Sequence, residues 1–365
     1  MNMMKNTFGN NFSVTLAGES HGPCLTVIVD GVRPGVPVTK DDIDRALELR
    51  RPHGKISTGR VEDDEFEITS GVYNGYTTGT PVCIIIKNKN VRSEDYEIGL
   101  LRPGHADLSA FMKYHGFEDR RGGGHFSGRI TAAVCAAGAI AEKILFEKGI
   151  EVISRIKRCG GVSDAETDSF SIDDLRRIKE EHFPVISREA GEKMRSSIEK
   201  ASEEGDSVGG VTQTFITGIP GGVGEPFFDS VESVISHAVF SVPGVKGIEF
   251  GGGFGLSDVK GSEANDRIYV DDKGKLQTKT NNSGGINGGV TNGMPVVFSV
   301  AVKPTPSVSV AQETVQLTET GAENVKAGIK GRHDPCIVHR AVHVINAVTC
   351  IAVLDLIQTR FGYEI

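Results

Sequence analysis

Glycine constrains this chain more than any other residue. Forty-six of its 365 residues are Gly, and they fall in bunches rather than at the every-third spacing of a collagen. Bunched glycine marks tight backbone conformations, or places where main chain closely approaches a ligand. Five bunches interleave Gly with Arg and His: Gly18-Glu-Ser-His-Gly22, Arg50-Arg-Pro-His-Gly-Lys55, Arg102-Pro-Gly-His-Ala-Asp107, Arg121-Gly-Gly-Gly-His-Phe-Ser-Gly-Arg129 and Gly331-Arg-His-Asp-Pro335. They hold His21, His53, His105, His125 and His333, five of the chain's ten histidines. Solvated turns would explain any one of these loops, but they strain to explain all five.

The chemistry of the loops points to an anionic ligand. Arg offers a planar fork of donors matched to phosphate or carboxylate. His exchanges protons near neutrality. The 121–129 stretch feeds a helix, whose free N–H groups and positive dipole end favour an anion. The net charge of -8 argues against wrapping nucleic acid or binding an anionic membrane surface. It does not oppose a local cationic site, because charges beyond about 8 Å are screened at physiological salt. Familiar nucleotide motifs are absent: there is no Gly-x-Gly-x-x-Gly, no P-loop and no His-Glu-x-x-His. The six cysteines lack any Cys-x-x-Cys pair, so reduced thiols in the cytoplasm are expected, with no metal site. The start lacks the apolar region of a secretory signal, and no apolar run is expected to reach the length of a membrane span, about 18 residues.

Alternation at period two predicts strands over 12–17, 24–29, 211–217 and 295–303, and strands are expected as well over 65–70 and 82–87. Helices are expected over 39–50, with Thr39 as cap and Asp42 three residues on, over 130–148 with Gly149 as stop, and over 340–359. Charged helical segments at 173–181 and 188–204 look like solvated surface, an insertion spanning about 165–205. Strands come in pairs joined by short turns, which favours α+β with antiparallel sheets in one continuous domain over 1–365. A second glycine set, at 218–226, 243–255 and 282–289 with Lys303-Pro-Thr-Pro-Ser307, would let main chain lie against a flat ring and its phosphate tail.

Six of these motifs, Gly18–Gly22, Arg102–Asp107, Arg121–Gly124, Gly244-Val-Lys-Gly-Ile-Glu249, Lys303-Pro-Thr305 and Gly331-Arg-His-Asp-Pro-Cys336, resemble the chorismate synthase family, in that family's order over about residues 8 to 360. The resemblance implies a β-α-β sandwich, a homotetramer, and a lyase that eliminates phosphate from 5-enolpyruvylshikimate 3-phosphate with reduced FMN. By the same resemblance, His21 and His105 would be the catalytic histidines, one protonating the flavin and one assisting phosphate departure. Asp334 would take part in proton removal. Ser20, Arg50, Arg129 and Arg332 would meet the substrate. FMN would be held by His125, Phe126, Ser127, Pro243, Gly244, Gly288, Lys303, Pro304, Thr305, Pro306, Ser307 and Arg332. Arg50 and Ile56 would serve NADPH, should the chain reduce its own flavin. His125-Phe126 stands where Arg-Ser is commoner, and His125 is expected to donate to the flavin while Phe126 packs on something apolar. The alternatives are a flavin-linked oxidoreductase acting on an anionic substrate, and a non-catalytic anion-binding protein.

Overall fold

The computed structural model describes residues 6–59, 62–89, 99–329 and 333–363. Eight α-helices occur among them: α1 (Lys40–Arg50), α2 (Asp107–Tyr114), α3 (Thr131–Glu147), α4 (Ile172–Ile178), α5 (Arg188–Glu203), α6 (Val231–Val239), α7 (Gly261–Ala264) and α8 (Val338–Phe361). Two five-stranded sheets, antiparallel throughout, account for most of the strands. One runs in the order 7–8, 13–18, 24–30, 82–87, 66–70; the other runs 162–163, 151–159, 210–217, 296–302, 245–250.

The sheets form because alternating residues supply one apolar face. Leu25, Val27 and Val29 are buried on one strand, with Val82, Ile84 and Ile86 on its neighbour. Helices α3 and α8 pack against each other and against strands of both sheets, so they form the middle of a sheet–helix–sheet sandwich. Their close approach depends on small side chains: a Cβ added at Gly138 would lie 2.5 Å from the Ala347 Cβ. Thr39 and Asp42 form the expected capping box on α1, the Thr39 N–H donating to the Asp42 carboxylate at 2.8 Å. Gly149 follows α3 at φ +74°.

Two expectations need correction. Helix α8 is long and apolar enough to cross a membrane by length and composition, yet 89% of its most apolar window is buried inside the protein. It is the core helix of the sandwich. The charged segments near 165–205 are amphipathic rather than wholly solvated. Leu175 and Ile178 of α4 join Ile153 and Phe215 in a small core, and α5 buries Met194, Ile198 and Ala201. A helix that pairs its charges outward can still bury a narrow apolar stripe.

Asp355 is an acid in the middle of this apolar layer. Its Oδ1 accepts from the N–H groups of Asn10, Asn11 and Phe12 at 2.9, 2.7 and 3.0 Å. It therefore ties the N-terminal segment to α8.

Candidate active site

The loop between strands 13–18 and 24–30 carries Ser20 and His21, both buried. The Ser20 N–H donates to the Gly124 carbonyl at 3.0 Å, which holds this loop against the glycine-rich segment. That segment does not run straight into a helix as expected. Gly122, Gly123 and Gly124 take φ of 62°, 92° and 55°, a left-handed curl that L side chains resist. Only then does the chain enter α3. The curl has a use: a Cβ at Gly122 would lie 2.5 Å from the His21 ring, and one at Gly123 would lie 3.0 Å from the His105 Cε1. Adjacent glycines thus seat two histidines from loops more than 80 residues apart in sequence.

His105 belongs to a compact polar cluster. Its Nδ1 lies 2.7 Å from Asp107 Oδ1. Arg102 grips the same carboxylate with Nε and Nη2, each at 2.8 Å, and its main-chain N–H adds a bond at 2.9 Å. Burial would raise the Asp107 carboxyl, but hydrogen bonds from Arg102 and His105 hold it well below the usual range.

A second network holds the arginines. Arg50 is 1% exposed; its Nη1 donates to Glu62 at 2.7 Å and its Nε to Thr131 at 3.1 Å. Burial alone would lower this guanidinium, but Glu62 and Asp64 raise it. Arg129 bonds Asp64 through Nη1 and Asn88 through Nε, the latter at 2.9 Å. Asp334 accepts from the Thr58 N–H at 2.8 Å and from Arg340 Nη1 at 2.7 Å. Arg340 Nε also donates to the Arg50 carbonyl at 2.9 Å.

These groups meet at a cleft of about 810 Å³, within the size range of small-molecule sites. Arg50, Arg129, His105, Asp334, His125, Phe126, Ser127, Pro243, Gly244 and all of 303–307 line it. Lys246, Arg102, Arg340 and His237 line it too, and the sequence reading named none of them as site residues. Arg102 stands inside a motif already singled out; Arg340 sits in an apolar helix pattern that gave no signal. Burial and then the nearby Lys246 ammonium lower the Lys303 pKa, so an anion between the two would relieve both.

The remaining expected residues lie elsewhere. Ser20 and His21 sit behind Gly122 and do not form the wall. Gly288 is in the tight turn between strands 286–287 and 290–291, off the cleft. Ile56 lines a separate hollow of about 520 Å³ with His53, His182 and His339, so it shares no cavity with the Arg50 side chain. Arg332 lies outside the described residues. His125 Nδ1 is 2.7 Å from the Gly18 carbonyl. A carbonyl only accepts, so Nδ1 carries the proton, and in the neutral ring Nε2 is an acceptor. Donation to a flavin from Nε2 would need the imidazolium, which qualifies the expectation for this residue. Phe126 meets the Tyr114 ring edge-on at 6.1 Å.

Three buried hydroxyls, Ser20 Oγ, Thr212 Oγ1 and Thr305 Oγ1, have no hydrogen-bond partner among the described residues. Buried hydroxyls are ordinarily satisfied, and Thr305 stands on the cleft wall between Lys303 and Ser307. The orphan hydroxyl of Thr305, basic side chains and glycine-bared main chain on one cleft fit a phosphorylated, ring-bearing ligand.

Fold and cleft together define an α+β protein of the sheet–helix–sheet class with a cationic small-molecule cleft. The family model for chorismate synthase matches residues 12–358. Chorismate synthase of Dehalococcoides mccartyi (strain BAV1) is 46% identical over 357 residues, covering 97% of this chain and 96% of that protein. The chorismate synthases of Korarchaeum cryptofilum and Pyrococcus abyssi are 44% and 42% identical, covering 96% and 98% of this chain and 97% and 99% of theirs. A crystal structure of chorismate synthase superposes with a TM-score of 0.76 at 28% identity, over 97% of this chain and 93% of that one. This chain belongs to the chorismate synthase family.

Proposed function

We propose that the chain eliminates phosphate from 5-enolpyruvylshikimate 3-phosphate to give chorismate, a 1,4-anti elimination with no net redox change. The observation that carries this reading is the convergence of segments 102–107, 121–129, 303–307 and 334–340 on one cationic cleft, with His21 seated just behind it. Arg50, Arg129 and Arg340 sit where a substrate's phosphate and carboxylate would be held, and their charge stabilises the phosphate as it leaves. His105 lines the cleft and, as the imidazolium, is the proton donor to the departing group, a role worth roughly 100- to 10,000-fold in rate. Asp334, fixed by Thr58 and Arg340, is held as an acceptor toward the same space.

Reduced FMN fits the wall made by Pro243, Gly244 and 303–307, with Thr305 Oγ1 and Lys303 as its polar contacts, and would supply electron density to the allylic C–O bond. The same reading takes the chain as one domain, cytoplasmic and homotetrameric. Exposed Phe227, Phe228 and Phe254 support assembly, since large apolar side chains left in water mark contact surfaces. Direct reduction of the flavin by NADPH has less support, because Arg50 and Ile56 face different cavities.

The test is an anaerobic assay with FMN reduced beforehand. Phosphate and chorismate forming in equal amounts without consumption of reductant supports the elimination; reductant consumed stoichiometrically marks an oxidoreductase instead. A parallel arm with NADPH and oxidised FMN measures self-reduction.

A further inference from the structure

We propose that Asp107 is a positioning residue that fixes His105 in the tautomer with the proton on Nδ1, leaving Nε2 as the proton-transferring atom at the cleft. Two groups approach His105 Nδ1, and they make opposite demands. Arg102 Nη2 lies 3.0 Å away and can only donate; Asp107 Oδ1 lies 2.7 Å away and, ionised, can only accept. The shorter contact decides. With a lone pair on Nδ1, the carboxylate oxygen would face it at 2.7 Å with nothing between them. With a proton on Nδ1, both Asp107 contacts are satisfied, because Arg102 Nη2 then donates to Oδ1 at 2.8 Å.

The carboxylate is itself held in place. Arg102 binds it through two nitrogens and its main-chain N–H, and Asp107 opens α2, where the helix dipole favours a negative charge. At the other edge of the ring, Nε2 lies 3.3 Å from the position a Cβ would take at Gly123. Glycine there leaves room beside that edge of the ring, and His105 lines the cleft. The charged groups around the ring are Asp107 and Arg102 from its own loop and first turn, with Lys303 reaching the neighbouring Gly104 carbonyl. Asp107 is therefore to His105 what a buried acid is to a catalytic histidine: it sets which nitrogen works and balances the charge when that nitrogen is protonated.

The kinetic arm of the test rests on the elimination reading; the spectroscopic arm does not. In full-length protein labelled with nitrogen-15 histidine, the His105 ring, assigned by the signal lost in His105→Gln, is expected to show Nδ1 protonated and Nε2 bare when neutral. In Asp107→Asn that pattern is expected to change to the other tautomer or to a mixture. The reaction's kcat is expected to fall about 100-fold, with KM changed less than about threefold. A wild-type ring with its proton on Nε2 overturns the proposal without any variant. An unchanged tautomer in Asp107→Asn, or in Asp107→Ser should the first variant not fold, also overturns it. If the tautomer shifts but His105→Ala still releases phosphate at the wild-type rate, the positioning stands and the catalytic reading of His105 falls.

Discussion

Arg340 Nη1 lies 2.7 Å from Asp334 Oδ2, joining a helix of the core to the acid of the cleft. Arg340 also bonds the Arg50 carbonyl, so one guanidinium sets both Asp334 and the end of α1. Replacing Arg340 with Met keeps the apolar stem and removes these bonds. Phosphate release should fall about 100- to 1,000-fold, the range for removing a fixed donor from a charged site. Arg340→Lys should recover only part of it, because a single ammonium cannot make both contacts. Steady-state rates under anaerobic conditions check this.

Gly122 should not tolerate a side chain. Alanine there meets the His21 ring at 2.5 Å at a φ of 62°, and left-handed backbone alone costs roughly 1–2 kcal/mol for an L residue. Gly122→Ala should lose activity while circular dichroism shows the sandwich intact. Gly255, which has nothing within 4 Å of its would-be Cβ and no left-handed φ, is the control: Gly255→Ala should leave stability within about 0.5 kcal/mol.

Much of this architecture was legible in the sequence because it rests on local patterns. Strand 13–18 shows its alternation in Ser-Val-Thr-Leu, and the Thr39–Asp42 box announces α1 without any tertiary information. The cleft was legible in its loops, since Gly next to Arg and His has few other uses. What escaped depends on partners far along the chain. Arg340 and Asp355 read as interruptions in an apolar helix, and their roles come from residues about 290 and 345 positions away. Glu62 and Asp64, which form ion pairs with Arg50 and Arg129, carry no motif. Gly288, which the family resemblance gives to the flavin, takes a φ of 61° in a tight turn and does not line the cleft.

Asp355→Ala should destabilise the fold strongly. It strips the acceptor from three main-chain N–H groups, of which that of Phe12 is fully buried. Each unpaired buried donor costs about 1–3 kcal/mol. A loss of about 2–5 kcal/mol is expected by denaturant unfolding, with catalysis intact in the molecules that stay folded.

Stability should fall with acid through His343. Burial, with His182 and His339 close by, pushes its pKa down to about 3 in the folded chain, against about 6.5 unfolded. Between these values the unfolded chain binds the extra proton, so stability rises with pH and is lost as pH drops from about 6.5 toward 3. The slope contributed by this residue is at most about 1.4 kcal/mol per pH unit. In His343→Leu that contribution should vanish, leaving a shallower curve of unfolding free energy against pH.

The proposed elimination requires one cleft to hold both the flavin and the phosphorylated ring. A crystal structure of the chain with FMN and 5-enolpyruvylshikimate 3-phosphate decides whether it does. The isoalloxazine should lie against Pro243, Gly244 and 303–307, with the substrate between it and the Arg50–Arg129–Arg340 group and within reach of His105. Either ligand bound in the hollow beside Ile56, or the two bound in separate cavities, would rule out a shared cleft.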